Sequence, residues 1–112
     1  MLEAACALLR PTHNVVRLAT DGKEAVLWVM KLQPDIAVLD ICLPEIDGIA
    51  AARMLNEAGT STRVVLIAPI KDEDYIHAAR RIAHGYVLKR RLANDLVPAL
   101  ASAAAGLFFL SQ

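Results

Sequence analysis

The sequence predicts an α/β fold, a doubly wound parallel β-sheet with helices on both faces. Three apolar runs of strand length, Ile36 to Leu39, Val64 to Ile67 and Tyr86 to Leu88, show no alternation of polar and apolar residues. That composition is typical of parallel strands buried on both faces. Segments with apolar residues at helical spacing separate the runs. Such alternation of strand and helix favours right-handed crossovers within one parallel sheet.

The first half of the chain contains two predicted strands and one predicted helix. A short β-branched strand spans 15–19. Asp21 and Glu24 then stand three residues apart, as in a capping box, and begin a helix over 23–32 that Pro34 ends. The next strand ends at Asp40.

The second half continues the alternation, with helices predicted over 49–58, 72–83 and 94–105. Gly59 follows the first of these helices, as expected of a glycine at a helix C-terminus. Arg80 and Arg81 are expected on the outer side of the second. Pro98 falls in the early turns of the last one, where a late start or a bend is expected, because proline lacks an N–H and crowds the preceding turn.

Composition limits the classes of function. The 112 residues correspond to one small domain, and 12 basic residues balance 12 acidic ones, which argues against a broad basic surface for nucleic acid. Hydrophobic residues make up 56% of the chain, so some apolar surface is expected to lie against a partner. Two cysteines without a CxxC pair, and no signal peptide or membrane span, favour a cytoplasmic protein. The three histidines have no metal-ligand spacing and are expected at the surface.

Candidate chemistry lies where the predicted strands end. In open parallel sheets, functional groups gather at the carboxyl ends of the strands. Asp40, Ala68 and Lys89 occupy those positions. The order of elements therefore places a carboxylate and an ammonium group at one edge of the sheet.

Two motifs carry a resemblance to a known family. Residues 36–48, IAVLDICLPEIDG, resemble the phosphorylation strand and loop of response-regulator receiver domains, in which a proline and a glycine follow the acceptor aspartate at intervals of four residues. Residues 85–89, GYVLK, resemble the fifth strand of those receivers, with a switch aromatic and a lysine. Residues 105–111 are similar to the end of receivers that precede a LuxR-type helix-turn-helix. The resemblance covers essentially the whole chain.

The resemblance implies a flavodoxin-like fold and a non-enzymatic signalling role for residues 1–112 as a single receiver domain. Asp40 would accept a phosphoryl group from a sensor histidine kinase, and Lys89 would pair with that group. Mg²⁺ would be held by Asp40, the backbone carbonyl of Cys42 and a preceding acidic pair. Tyr86 would rotate inward when a hydroxyl at the end of the fourth strand moves towards the phosphoryl group.

One departure from the family lies at the start of the chain. The family begins with an apolar strand that ends in two acidic residues, whereas this chain begins at Met1 inside the first helix, with Glu3 as a lone charge. The domain is therefore expected to be N-terminally truncated and to lack the first, central strand. Without the acidic pair, Mg²⁺ binding is expected to be weak or absent.

Loss of a central strand has a structural consequence. A gap of roughly 10 Å would open between the strands that hold Val16 and Val38. About five buried side chains would be lost, at about 1.5–3 kcal/mol each, which is comparable with the stability of a whole domain. Either the flanking strands close up, or another chain fills or covers the edges, or the true start lies upstream. A homodimer or swapped assembly is favoured among these.

A second departure is Ala68, which stands where the family has serine or threonine. Alanine cannot donate the hydrogen bond that couples phosphorylation to movement of the loop and of Tyr86. A receiver that signals through a protein surface and a degenerate pseudo-receiver that acts as a phosphorylation-independent dimerisation or interaction module therefore both remain open. A small α/β enzyme is disfavoured, because there is no glycine-rich phosphate loop and no nucleophile elbow. Direct contact with nucleic acid is not expected of this chain, although a DNA-binding output domain is possible in a longer protein.

Overall fold

The computed structural model describes residues 15–16, 21–42 and 46–112. Among these residues the sheet is parallel, with five strands in the order β1-β2-β3-β4-β5. The strands are β1 Val15–Val16, β2 Ile36–Asp40, β3 Arg63–Ala68, β4 Gly85–Leu88 and β5 Phe109–Leu110. The helices are α1 Gly22–Leu32, α2 Gly48–Glu57, α3 Glu73–Ile82 and α4 Leu92–Ala104, and a single 3₁₀ turn, Lys89–Arg91, joins β4 to α4. The predicted alternation of strand and helix is confirmed.

The two strands that would flank a missing central strand lie side by side. Val15 is paired with Ile36 and Val16 with Ala37 in parallel register. The flanking strands have therefore closed up, the first of the three alternatives considered from the sequence. The absence of a strand between them is confirmed, and an open gap no longer argues for a second chain.

Helices cover both faces of the sheet. Alternate side chains of the strands, among them Leu39, Leu66 and Leu88, form one apolar cluster with residues of α1, α2 and α3. The intervening side chains, among them Val65 and Val87, form a second cluster with α4. Nearly every side chain of the central strands is buried, which is the physical reason why their sequences are continuously apolar.

Aspartates begin three of the helices by accepting backbone hydrogen bonds. The carboxylate of Asp21 accepts from the N–H of Glu24 at 2.7 Å, and that of Asp47 accepts from Ala50 at 2.8 Å. Asp72 does the same at the start of α3. Each carboxylate satisfies an N–H that lacks a partner in the first turn of its helix.

The last helix begins earlier than expected. It runs from Leu92, so of the two outcomes predicted for Pro98, a late start or a bend, the late start is wrong and the bend stays a prediction. Leu92 and Leu96 are buried beneath the first turns, and Pro98 is exposed within the helix. Burial of this apolar face outweighs the hydrogen bond that proline cannot donate.

The C-terminal segment adds a strand that the sequence analysis did not predict. Gly85 is paired with Phe109 and Tyr86 with Leu110, which makes β5 an edge strand beside β4. The guanidinium of Arg80 lies 4.7 Å from the ring centroid of Phe108, at the start of this segment. Residues 108–111 are therefore packed on the domain.

The histidines differ from the expectation of three surface residues. His77 is exposed, whereas His84 is half-buried and its Nδ1 is buried without a hydrogen-bond partner in the described part of the chain. Burial, together with the charge of Arg63, lowers the pKa of His84. His13 lies outside the described residues. Within the described ranges, none of the helices has the length and hydropathy needed to cross a membrane.

Candidate functional site

The predicted carboxylate and ammonium groups meet at the carboxyl edge of the sheet. Asp40 is the last residue of β2, and Lys89 follows β4 directly. The Nζ atom of Lys89 lies 3.2 Å from Oδ2 of Asp40. Their side chains are 58% and 19% exposed respectively, so the ion pair is open to solvent.

The backbone around Asp40 orients its carboxylate. The N–H of Cys42 donates to Oδ1 of Asp40 at 2.8 Å, which leaves Oδ2 facing Lys89. Cys42 itself is exposed and its thiol is free. The start of α2 lies against this turn, since the N–H of Gly48 donates to the carbonyl of Ile41 at 3.3 Å.

Gly48 allows this close packing. A Cβ at position 48 would lie 2.5 Å from the carbonyl oxygen of Asp40 and 2.8 Å from Cα of Ile41. Both are backbone atoms that cannot rotate away. The motif glycine is thus explained by the approach of α2 to the backbone that carries Asp40.

Ala68 ends β3 between these two strands. It is paired with Leu88, the residue before Lys89, and is completely buried. Its methyl group carries no hydrogen-bond donor. The structure therefore places Ala68, which has no hydroxyl, at the end of β3, where the sequence analysis expected it.

Tyr86 lies inside the domain. Its side chain is fully buried, and its hydroxyl donates to the carbonyl of Ile70 at 2.7 Å. Burial raises the pKa of the Tyr86 hydroxyl, with a smaller opposing effect from the backbone at Asp72. The ring is held by the loop after β3 without any contact to a hydroxyl at position 68.

The donors expected for Mg²⁺ are only partly assembled. Asp40 and Cys42 lie together, but the described residues contain no group of three His, Cys, Asp or Glu side chains that could hold a metal ion. Glu3 and Pro44 lie outside the described residues. Asp40 and the backbone of Cys42 are therefore the candidate Mg²⁺ donors that this part of the chain brings together.

Sequence reasoning missed a polar network beside Lys89. The hydroxyl of Ser111 is buried between the N–H of Leu88, at 3.1 Å, and Oδ2 of Asp95, at 2.7 Å. The guanidinium of Arg91 donates to the same carboxylate at 2.9 and 3.3 Å. The Arg91 and Asp95 pair has i, i+4 spacing and could have been suspected, whereas no local signal indicates Ser111.

Comparison with known proteins gives a consistent result. Residues 1–101 match the family described as the response regulator receiver domain. The chain is 34% identical over 105 residues to the nitrate/nitrite response regulator protein NarL of Escherichia coli K12, covering 93% of this chain and 49% of that protein. It is 33% identical over 99 residues to the transcriptional regulatory protein DegU of Brevibacillus brevis, covering 88% and 42%. The chain thus spans about half the length of these curated relatives.

Solved structures show the same likeness. A two-component response regulator of the LuxR family from Aurantimonas sp. SI85-9A1 superimposes with a TM-score of 0.84 at 30% identity, covering 97% of this chain and 80% of that one. The response regulator domain of CheB from Thermotoga maritima superimposes with a TM-score of 0.68 at 28% identity, covering 78% and 73%.

Proposed function

We propose that this chain, which belongs to the response regulator receiver family, accepts a phosphoryl group on Asp40 from a sensor histidine kinase and signals through a protein surface. The match over residues 1–101 and the relatives described above establish the family. Receiver domains of LuxR-type regulators are typically non-enzymatic modules of two-component systems that interact with histidine kinases and often accompany DNA-binding output domains. In the proposal, residues 1–112 form one such domain.

The Asp40–Lys89 ion pair is the observation that carries the proposal. A nucleophilic carboxylate must be reachable by a phosphodonor, and Asp40 is at the edge of the sheet with part of its side chain in solvent. The orientation of the Asp40 carboxylate is restrained by the hydrogen bond that it accepts from the Cys42 N–H. Lys89 then stands 3.2 Å away, where an ammonium group can neutralise charge on an incoming phosphoryl group.

The transfer itself is a displacement at phosphorus. A carboxylate oxygen of Asp40 forms a bond to phosphorus while the bond from phosphorus to the imidazole nitrogen of the kinase breaks, and the nitrogen keeps the electron pair. Little covalent chemistry is demanded of the receiver, so positioning and charge neutralisation provide most of the rate. Lys89 would exchange its contact with Asp40 for the phosphoryl oxygens.

We also infer that Mg²⁺ binds weakly here. Receiver domains in general bind this ion through acidic residues. In the described ranges, Asp40 is the acidic side chain beside the Cys42 backbone, and Lys89 places a positive charge next to it. A cation at this edge would meet few negative ligands and one repelling ammonium group, which supports a low affinity.

Intact mass spectrometry after incubation with Mg²⁺ and acetyl phosphate tests the proposal. We expect the wild-type protein to gain one phosphoryl group and Asp40→Asn to gain none. Asp74→Asn is the matched control, because Asp74 is an exposed aspartate on α3 that has no role in the proposal, and the variant should gain the group like the wild type. A Mg²⁺ titration of the same reaction reports the affinity. Failure of folded wild-type protein to gain mass would contradict the proposal.

A second candidate, the phosphorylation-independent interaction module, is favoured by one observation. Tyr86 is already buried and bonded to Ile70, and Ala68 offers no hydroxyl to move it. Under this alternative, the ring resonances of Tyr86 in an NMR spectrum stay unchanged when acetyl phosphate is added. Shifts of those resonances that Asp40→Asn abolishes would favour the phosphorylated receiver.

Homodimerisation belongs to the same proposal. Helix α1 presents large apolar side chains to solvent, with Leu27 at 60% and Leu32 at 54% exposure. Such a surface favours association. Sedimentation equilibrium at micromolar concentration is the measurement, and a purely monomeric mass would contradict the dimer and any swapped assembly.

A further inference from the structure

We propose that Ser111 and Asp95 are positioning residues for Lys89, holding both ends of the turn from which the lysine reaches Asp40. The inference rests on the proposed function of the Asp40–Lys89 pair. It concerns residues that lie behind the site, on the last helix and in the C-terminal segment, and that touch neither Asp40 nor a phosphodonor.

The turn rather than packing places Lys89. Its side chain is 58% exposed, so few neighbours restrict it. Its backbone begins the 3₁₀ turn Lys89–Arg91, which no side chain caps at its start. A long flexible side chain on such a turn reaches a fixed target only if the backbone of the turn is itself held.

Ser111 holds the start of the turn. The backbone ladder between β4 and β5 continues to the N–H of Ser111, which donates to the carbonyl of Tyr86 at 3.0 Å. The side-chain oxygen of Ser111 then accepts from the N–H of Leu88 at 3.1 Å. A side chain thus adds one further hydrogen bond to the ladder, directly before Lys89.

Asp95 holds the end of the turn. Its carboxylate accepts from Nε and Nη2 of Arg91, the last residue of the turn, at 2.9 and 3.3 Å. The same Oδ2 atom accepts from the hydroxyl of Ser111 at 2.7 Å. Hydrogen bonds from Arg91 and then from Ser111 lower the pKa of Asp95, so the carboxylate stays ionised at neutral pH.

The hydroxyl of Ser111 connects the two ends of the turn because it is both donor and acceptor. It donates its one proton to Asp95 and accepts from Leu88, while its residue is completely inaccessible to solvent. Alanine at this position would leave the N–H of Leu88 without its partner in a buried place. The start of the turn would then be free to shift away from β5.

Phosphorylation kinetics with acetyl phosphate test the inference. We expect Ser111→Ala to slow the initial incorporation of phosphate roughly ten-fold, as a displaced charged group does. Ser102→Ala is the matched control, since Ser102 is a half-buried serine on α4 whose side chain makes no hydrogen bond among the described residues. It should react at the wild-type rate. An unchanged rate in folded Ser111→Ala protein would overturn the inference.

A double-mutant cycle separates positioning from a merely structural effect. If Ser111 acts through Lys89, Ser111→Ala should cause no further slowing in the Lys89→Ala background. Equal slowing in both backgrounds would mean that the serine acts on the domain as a whole. Circular dichroism confirms that each variant is folded at the assay temperature.

A structural measurement decides the question even if the wild-type protein takes up no phosphate, in which case the proposed function fails separately. Crystal structures of Ser111→Ala and Ser102→Ala give the distance from Nζ of Lys89 to Oδ2 of Asp40, which is 3.2 Å in the native chain. The inference expects this contact to be lost in the first variant and kept in the second. Retention of the contact in both would overturn it.

Discussion

The two halves of the site differ in how they are built. Asp40 and Lys89 form an ion pair that solvent reaches, with exposures of 19% and 58%. Ala68, which is paired with the residue before Lys89, and Tyr86, three residues before Lys89, are completely buried, and the tyrosine hydroxyl is already bonded to Ile70. The half that would carry the chemistry is therefore open, and the half that would carry the signal is packed.

Moving Lys89 costs less free energy than moving Tyr86. An exposed ion pair contributes about 0–1 kcal/mol, so Lys89 can leave Asp40 for another anion at little cost. A buried ring with a satisfied hydroxyl must give up both its apolar burial and a hydrogen bond before it can move, about 1.5–3 kcal/mol for the burial and about 1 kcal/mol for the bond. A phosphoryl group that cannot bond to Ala68 provides no compensating contact there. Under the proposed function, acceptance of phosphate and movement of Tyr86 would therefore be separable.

The largest expected loss of stability comes from a substitution beside Asp40, in the open half of the site. Gly48→Ala should lower the free energy of unfolding by about 2–3 kcal/mol, because its Cβ would lie 2.5 Å from the carbonyl oxygen of Asp40. The backbone that carries the Asp40 carboxylate would have to shift. Urea denaturation measures the loss.

Gly85→Ala is the control for this substitution. A Cβ at position 85 would lie 3.3 Å from a side-chain methyl group of Val65, which can yield by a few tenths of an ångström. We expect a loss of about 1 kcal/mol or less. Equal losses in the two variants would show that the approach of α2 to Asp40 is looser than the structure indicates.

A smaller effect on stability is expected at alkaline pH, and it tests whether Tyr86 in the packed half is as buried as the structure indicates. The pKa of Tyr86 is raised above its usual 10.0, chiefly by burial. The folded state therefore keeps its proton after the unfolded state has lost it, so this contribution to stability is complete below pH 10 and is lost as the pH rises through the folded pKa. Ultraviolet titration of tyrosinate should show a late step.

The chain has two tyrosines, which makes the assignment of that step direct. Tyr86→Phe should remove the late step, because the substitution removes the buried hydroxyl. Persistence of the late step in Tyr86→Phe would mean that Tyr86 is not the buried hydroxyl that resists ionisation.

Local patterns accounted for much of this molecule. The apolar runs of the central strands and the capping aspartate Asp21 lie where the sequence predicted them, since both follow from short-range rules. The meeting of Asp40 with Lys89 followed from the order of the elements, because parallel strands end at one edge. Family membership was likewise predicted from two motifs.

Other features depended on long-range packing. The early start of α4 despite Pro98 reflects burial of Leu92 and Leu96 against the sheet. The fifth strand exists because residues 109–110 find an unpaired edge beside β4. Neither outcome can be computed from the local sequence, since each is a competition between a local preference and a distant contact.

The sequence by itself determined the α/β order, the edge at which the candidate groups lie, and the absence of a hydroxyl at position 68, because these are matters of residue type and spacing. Tertiary structure alone decided that β1 closes against β2, that Tyr86 lies inside the domain, and that Ser111 joins Leu88 to Asp95. The physical reason is that closure, burial and the pairing of polar groups distant in sequence are set by what the folded chain brings within hydrogen-bonding distance.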